Sequence, residues 1–477
     1  MSGKVLIRDA QERVTRELDR LRGVLDPLGE RFSAAGEQIA LVGGPVRDAM
    51  LGRRQYDLDF TTSAHPDTTE RLLRGWADAV WDIGRDFGTI GARRDGWDLE
   101  ITTYRSEAYD PASRKPSVAY GTTLAGDLGR RDFTVNAMAI SLPERHFEDP
   151  YGGVVDLAHQ LLRTPGTPEQ SFSDDPLRMM RAARFAAQLG FGVDPAVVAA
   201  MTDMAERITI VSAERVRHEL VKLVCAPRPR QGLSLLVETG LAAYVLPELP
   251  ALQLERDEHH RHKDVYQHTL TVLEQAIDQE DRLDGGPDLV VRLAALMHDV
   301  GKPRTRRFAP DGTVTFHHHD VVGAKLTRKR MQALRFSREV TDAVAKLVEL
   351  HLRFHGYGGG QWTDSAVRRY VRDAGDQLER LHVLTRADCT TRNRRKAERL
   401  RRTYDDLEAR IERLSEEEEL AAIRPDLDGN QIMEILGVGP GPDVGAAYRH
   451  LLELRLDRGP MSFEDARAAL LEWARSR

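Results

Sequence analysis

Strand-like patterning in this 477-residue chain is confined to residues 38 to about 157, and nearly everything around that stretch carries the spacing of amphipathic helix. Within it, the runs "IALVGG", "YDLDFTT", "FGTIGAR", "DLEITTY" and "TVNAMAI" are short, rich in β-branched and apolar residues and separated by turn formers, which predicts strands. Ahead of it, Val14, Leu18, Leu21 and Leu25 recur at helical intervals and predict an amphipathic lead-in over residues 1–35. After "DPYGGVVDLAHQ", helical periodicity continues to residue 477, with no fixed-period repeat of the kind a solenoid needs. The expected fold class is therefore α+β, a small N-terminal sheet with helices followed by an extended all-α body. Boundaries near 160, 255 and 400 divide it into a head (1–160), a helical neck (161–255), a histidine-rich unit (256–400) and a helical tail (401–477).

Composition narrows the function classes. Hydrophobic residues make up 41% of the chain, enough for several cores, yet no run approaches the ~20 apolar residues of a membrane span and the first residues are charged. A cytoplasmic protein without a membrane partner is expected. Cys225 and Cys389 stand alone without a CxxC, which argues against a disulfide framework or a thiolate zinc site. A net charge of -6 excludes a uniformly basic coat but leaves room for local patches. Arg368, Arg369, Arg386, Arg392, Arg394 and Arg395 offer phosphate contacts, or else a solvated helix face, and 392–418 reads as a long solvated helix.

The stretch "YDLDFTT" carries the first chemistry. Side chains alternate along a strand, so Asp57 and Asp59 project together while Leu58 and Phe60 enter the core. Two carboxylates that close repel each other unless a cation lies between them, and Mg²⁺ takes oxygen ligands while sharing its shell with substrate phosphates. "WDLEITTYR" offers Glu100 as a third carboxylate on a neighbouring strand. Upstream, Gly43 and Gly44 end an apolar run and open a helix bearing Arg47, an arrangement in which backbone and guanidinium can meet a phosphate. In "SDDPLRMMRAARFAAQLGF", Arg178, Arg181 and Arg184 recur every third residue and form one drifting stripe whose only nearby acids in sequence are Asp174 and Asp175. "SAERVRHELVKLV" reads as an amphipathic helix capped by Ser212 and is given no catalytic role.

Gly-Gly, twelve intervening residues, D-x-D and a later strand carboxylate resemble the nucleotidyltransferase superfamily that includes DNA polymerase beta. More narrowly, "LVGGPVRDAMLG", "RRDFTVNAMAI", "DPYGGVVDL" and "DDPLRMMRAARFAAQLGF" resemble the bacterial CCA-adding tRNA nucleotidyltransferases and their relatives, the bacterial poly(A) polymerases, over residues 38 to 250. The resemblance implies a mixed polymerase-beta-like sheet and two-metal Mg²⁺ chemistry with Asp57 and Asp59 as ligands. It assigns Arg131 to the incoming nucleotide and Asp132 and Asn136 to its sugar. Asp175 and Arg178 would read the base, accepting from the exocyclic amine that cytosine and adenine share and donating to the ring edge. Asp174 stands where the family commonly has Glu, and "SAERVRHELVKLV" resembles a further family helix that braces the active site, a reading that fits as well as a plain capped amphipathic helix.

Downstream, "HKDVYQHTL", "LAALMHDVGKP", "FHHHDVVGA", "ELHLRFH" and "RADCTTRNRR" scatter histidines and aspartates over helices. His268, the adjacent pair His298-Asp299 and Asp388 resemble the H, HD, D pattern of HD-domain phosphohydrolases, which implies a transition metal that activates water. His317, His318, His319 and His351 can extend that shell to a second metal or bind phosphate. "LDGNQIMEILGVGPGPDVGAAYRHLL" predicts a helix, a Gly-Pro turn and a helix, and resembles the family's tRNA-contacting C-terminal segment.

The expected function is addition of CCA to the 3′ end of tRNA from CTP and ATP, with Mg²⁺ at the transferase site, the triphosphate held by Gly44, Arg47 and nearby arginines, and an accessory HD hydrolase activity. The alternatives are a poly(A) polymerase or a partial CC- or A-adding enzyme, and, in another class, a protein that is chiefly an HD phosphohydrolase. Oligomeric state is left open.

Overall fold

The computed structural model describes residues 3–53, 57–108, 117–254, 264–308, 310, 314–357, 362–391, 393–418 and 424–476. They fall into two compact units, 1–247 and 248–477.

The first unit is built on a seven-stranded sheet. Its strands are β1 (Ile39–Val42), β2 (Asp57–Thr62), β3 (Ala79–Gly84), β4 (Thr89–Arg94) and β5 (Trp97–Thr103), with β8 (Ala139–Leu142) and β9 (His146–Glu148) completing it. A separate hairpin pairs β6 (Arg105–Ala108) with β7 (Ser117–Tyr120). The order across the sheet is β3-β4-β5-β2-β1-β8-β9. Only β2 and β5 run parallel, and every other neighbouring pair is antiparallel, so the sheet is mixed. β1 is buried along its whole length, as an apolar strand between two partners should be. Leu58 and Phe60 are buried on β2 while Asp57 and Asp59 face the other way, as the alternation predicted.

Some expectations are corrected. "TVNAMAI" is not one strand: Thr134–Asn136 form a 3₁₀ turn and only Ala139–Leu142 extend. The lead-in is two helices, Gly3–Arg20 and Arg22–Ala34, burying Leu18, Leu21 and Leu25. The short strands β3, β6, β7 and β9 lack the apolar runs that marked the others.

After the sheet, helices dominate the first unit. Helix Leu177–Leu189 buries Met179, Met180, Ala182, Ala183, Ala186 and Ala187 and ends at Gly190 in the left-handed conformation. Helix Pro229–Glu238 crosses it at Gly232, where a Cβ would lie 2.3 Å from the Ala183 carbonyl oxygen. Glycine there lets the two backbones touch and fixes the height of the arginine-bearing helix.

The second unit is helical apart from a two-residue ribbon, Arg307–Phe308 with Val314–Thr315. Helices Val265–Ile277, Leu289–Met297, His319–Ala333, Arg338–Leu350 and Leu378–Ala387 form its histidine-bearing part, and Arg394–Glu418 is the long charged helix. Helix Gly429–Leu436, a left-handed Gly437 and helix Pro442–Arg458 match the expected helix-turn-helix. With Phe463–Arg475 they enclose a separate small core of Leu427, Ile432, Ala447, Leu451, Ala466 and Leu470. No described helix is long and apolar enough to cross a membrane.

Replacing Gly232 by Ala should force the two helices apart and cost on the order of 1–3 kcal/mol. A lower urea midpoint for Gly232→Ala than for the natural protein checks this.

Candidate active site and metal centre

The pairing register sets the first site. Asp59 lies level with Glu100, and Asp57 with Asp98, so the carboxylates share one face of the sheet. Burial raises the pKa of Asp59, with Arg131 opposing and the Asp57 charge adding to the rise. Burial likewise raises Glu100, and Asp59 and Asp57 push it further. Unlike Asp59 and Glu100, Asp98 is occupied elsewhere, taking a two-pronged hydrogen bond from Arg93 at 2.6 and 2.9 Å.

A cleft of about 1330 Å³ opens over these acids, and Gly43, Gly44, Arg47, Arg131, Asp132, Asn136, Asp175, Arg178, Arg181 and Arg184 all line it together with Asp57, Asp59 and Glu100. The head and neck residues expected to meet metal, phosphate, sugar and base thus line one cavity, while Asp174 does not. Gly43 has φ 72°, open to glycine at little cost, and a Cβ there would stand 2.9 Å from Arg131 Nη1.

The arginines are held differently from the expected free stripe. Arg47 is buried, donates to both oxygens of Asp48 at 2.9 and 2.7 Å and to Asn136 Oδ1 at 2.6 Å. Asn136 in turn donates to Asp132 Oδ1 at 2.9 Å. Arg181 donates from Nε and Nη2 to Asp132 Oδ2 at 2.7 and 2.5 Å. Arg184 has its Nε 2.9 Å from Glu219 Oε2 and its guanidinium 4.0 Å above the Phe185 ring. Arg178 donates to the Ser171 hydroxyl at 2.9 Å and the Arg130 carbonyl at 2.5 Å.

The charges register this mutual grip. Burial opposes the ionised form of Asp132, yet Arg181 and Asn136 hold it far below the usual carboxylate range. Burial pulls Arg184 down to about 10, with Glu219 acting against the fall.

Four residues that sequence reasoning left out complete the arrangement. Asp127 is buried and receives Thr61 Oγ1 at 3.0 Å, the Arg105 backbone N–H at 3.2 Å, Arg130 Nε at 3.0 Å and Arg131 Nη2 at 3.4 Å. Asp48 holds Arg47. The helix Ala213–Val224, which fitted a plain amphipathic helix and the family's bracing helix equally well, carries Arg215, which donates to Asp175 Oδ2 at 2.8 Å, and Glu219, beside Arg184; its Ser212 cap is as predicted. The only sequence signal for these was an acid or arginine on an otherwise apolar pattern. Asp174 accepts from Gln170 at 2.7 Å.

The second unit gathers the histidines. His268, His298 and Asp388 form one group with ligand atoms within 4.8 Å of one another, and Asp299, His319 and His351 form another. Asp299 touches both: Oδ2 is 3.2 Å from His298 Nε2 and 3.6 Å from His268 Nε2, while Oδ1 is 3.3 Å from His319 Nε2. Each inward ring is locked from behind. His298, His319 and His351 donate Nδ1–H to the carbonyls of Ala295, Phe316 and Val348 at 2.8, 2.8 and 2.6 Å. His268 Nδ1 meets Thr390 Oγ1 at 3.1 Å. All four Nε2 atoms therefore face inward. Those of His319 and His351 are buried and make no hydrogen bond, and both stand beside the Asp299 carboxylate, so the donor set fits metal ions. Burial drives His351 down to about 3, the neutral form a ligand needs. His317 and His318 are exposed, so His319 and His351 join the centre and the other two do not.

The tail arginines split. Arg368 donates to the Leu456 carbonyl, Arg369 pairs with Glu453 and Asp457, and Arg386 with Asp405 and Glu408, so these three are engaged within the unit. Arg394 and Arg395 are exposed, and Arg392 lies outside the described residues.

The chain matches the Poly A polymerase head domain over residues 39–163, the "Probable RNA and SrmB- binding site of polymerase A" over 190–252 and the HD domain over 265–393. It is 34% identical to the A-adding tRNA nucleotidyltransferase of Deinococcus radiodurans over 443 residues, covering 91% of this chain and 95% of that protein. The chain belongs to the tRNA nucleotidyltransferase family. A CCA-adding enzyme of Levilactobacillus brevis is 40% identical over 49% of this chain and 57% of its own length. Among solved structures, this tRNA nucleotidyltransferase superposes on the Bacillus stearothermophilus CCA-adding enzyme in complex with CTP with TM-score 0.65, at 24% identity over 94% of this chain and 96% of that one. The Thermotoga maritima CCA-adding enzyme complexed with tRNA gives TM-score 0.61 at 17% identity, covering 98% of both chains. These two carry the fold, a mixed sheet followed by a mostly helical body. Membership of this nucleotidyltransferase family implies a divalent metal.

Because Asp127 is ionised in the fold by Arg131 and Arg130 against its burial, its contribution is full above the unfolded carboxylate range and lost as pH falls through its depressed value. Asp127→Asn should cost about 3–5 kcal/mol at pH 7, as breaking a buried pair does. It should also flatten the loss of Tm below pH 4, which thermal melts across pH 7 to 2 measure.

Proposed function

We propose that the protein adds CCA to the 3′ end of tRNA, taking CTP and ATP in turn, with Mg²⁺ held by Asp57 and Asp59. The observation that carries this reading is the single cleft in which two strand carboxylates face an arginine helix whose own charges are already matched. When bound, Mg²⁺ stabilises the charge on the attacking and departing oxygens. The chain's own groups do the rest. Gly43 and Gly44 leave backbone room for the triphosphate, and Arg131, lying beside Gly43 and restrained by Asp127, faces its charge. Arg47, fixed by Asp48, orients Asn136 toward the sugar side along with Asp132. Arg178 and Asp175 select the base, Arg178 braced by Ser171 and Asp175 by Arg215. Glu100, pushed toward its protonated form by Asp59 and its own burial, sits level with Asp59, where an acceptor hydroxyl would approach.

A narrower reading, addition of the terminal A alone, is favoured by one finding: the relative matched along nearly the whole chain is named an A-adding enzyme. Transcripts ending before the first C, after one C and after both distinguish the two, each offered CTP, ATP or both. Two C then one A on the shortest transcript supports CCA addition, and extension only of the transcript ending in CC, by one A, supports the narrower reading. Asp57→Ala and Asp59→Ala should each lower transfer by at least a thousandfold.

In the second unit, we propose a transition-metal phosphohydrolase centre with one ion on His268, His298 and Asp388, a second on His319 and His351, and Asp299 shared between them. Imidazole and carboxylate donors suit Mn²⁺, Fe²⁺, Co²⁺, Ni²⁺ or Zn²⁺. The bound metals would supply an activated water; Asp299 would hold both positions at a fixed spacing, while Lys302, 2.9 Å from Asp299, tempers its charge. Protein stripped with a chelator and reloaded with Mn²⁺ should bind two ions per chain at the helical unit in the Asp57→Ala/Asp59→Ala background. His351→Ala should bind one, with tRNA transfer by the same change in the natural head left intact.

A further inference from the structure

The pairing register carries the acidic face of the head sheet beyond the cleft. Asp59 on β2 is level with Glu100 on β5, Glu100 with Gly91 on β4, and Gly91 with Trp81 on the edge strand β3. Directly paired residues project to the same side of a sheet, so Trp81 stands on the face that bears the carboxylates. Gly91 explains how it lies there. A Cβ on Gly91 would fall 2.5 Å from Trp81 Nε1 and 2.7 Å from Ile83 Cδ1, so the absent side chain gives the indole a bed across β4, pointing back toward Glu100. The indole and Ile83 remain 37% and 45% exposed, and among the described residues Trp81 stacks on no other ring.

The two sides of the carboxylates are chemically unlike. On the β1 side lie Gly43, Gly44 and Arg131, a setting for phosphates. On the β5-β4-β3 side Arg93 is spent on Asp98, and the surface offered is an aromatic ledge that rises from β3 and lies over β4, roughly 10 Å or two strand spacings from β2. A base in single-stranded nucleic acid stacks on an exposed aromatic face irrespective of its identity, which suits an acceptor whose last base changes from round to round.

We propose that Trp81, bedded on Gly91, is a stacking platform for an unpaired base at the 3′ end of the acceptor strand, positioning the terminal hydroxyl over Asp59 and Glu100. This rests on the proposed transfer to a tRNA 3′ end. It makes Trp81 a positioning residue rather than a catalytic one.

The test is steady-state transfer by the full chain to a tRNA transcript lacking its 3′ CCA, with KM for tRNA and for CTP measured separately. Trp81→Leu keeps apolar bulk on the ledge but offers no ring, and it should raise KM for tRNA about tenfold while leaving KM for CTP unchanged. Trp81→Phe should stay within about threefold of the natural protein in both. An unchanged KM for tRNA in Trp81→Leu, an equal rise in both KM values, or equal damage in Phe and Leu variants of matched Tm would overturn the proposal. If the natural protein extends only a transcript ending in CC, the same comparison is made on that transcript with KM for ATP in place of CTP; if it extends neither transcript, the transfer reading fails instead, and that control tells the two failures apart.

Discussion

A cluster of arginines on one helix can persist only if acids from elsewhere in the chain neutralise it, and that requirement organises the whole head. Arg181 and Arg184 find Asp132 and Glu219, Arg47 finds Asp48, and Arg130 and Arg131 share Asp127. Buried pairs of this kind add little net stability, because desolvation offsets most of the attraction. Their value is placement. Guanidiniums already fixed by carboxylates need not reorganise when an anionic triphosphate arrives, and prepaid orientation is where electrostatic catalysis gains most. The carboxylates Asp59 and Glu100 show the opposite state: the first partly buried and the second exposed beside it, both are raised toward their protonated forms by desolvation and by their acidic neighbours, a cost that a bound cation would relieve.

What the sequence revealed follows from periodicity and adjacency. The D-L-D alternation placed Asp57 and Asp59 on one face because strand geometry leaves no other choice. The three-residue arginine spacing placed Arg178, Arg181 and Arg184 along one helix. The partners of those arginines left no such trace. Asp132 lies 49 residues before Arg181, and Arg215 lies 40 after Asp175; pairs so distant are set by packing, so Asp132 and Asp175 could be marked for the nucleotide without any sign of the arginine each would hold. The edge strand β3 was missed for a related reason: "AVWDIG" sits at the sheet margin, with both faces partly in solvent, and so lacks the apolar run that marked β1 and β5.

The histidine-rich unit shows the same division. An adjacent His298-Asp299 with His268 and Asp388 signals one metal position, and three histidines in a row at 317–319 offer no way to choose among themselves. The fold chooses by a backbone detail. His318 takes a left-handed conformation with φ 62°, helix His319–Ala333 starts immediately after it, and that turn leaves His317 and His318 outside while burying His319. Gly301 makes the turn possible, since a Cβ there would come within 2.0 Å of the His319 carbonyl oxygen.

The two constellations solve a common problem by opposite means. In the helical unit the ligands are closed in and aimed: three imidazoles are pinned through Nδ1 to carbonyls of their own helical turns, so their Nε2 atoms cannot rotate away from Asp299. Ions held by such a centre would be enclosed on several sides by ligands already in place. In the head, Asp57 and Glu100 are exposed on a sheet face that continues past the cleft, and the fixed elements are the arginines around them rather than the acids. An enzyme that must release a lengthened strand and accept a new triphosphate each round gains from this second design. A cation bound there would share its shell with the substrate and could leave with the product, while the guanidiniums, already paired with carboxylates of the protein, need no rebuilding before the next nucleotide binds.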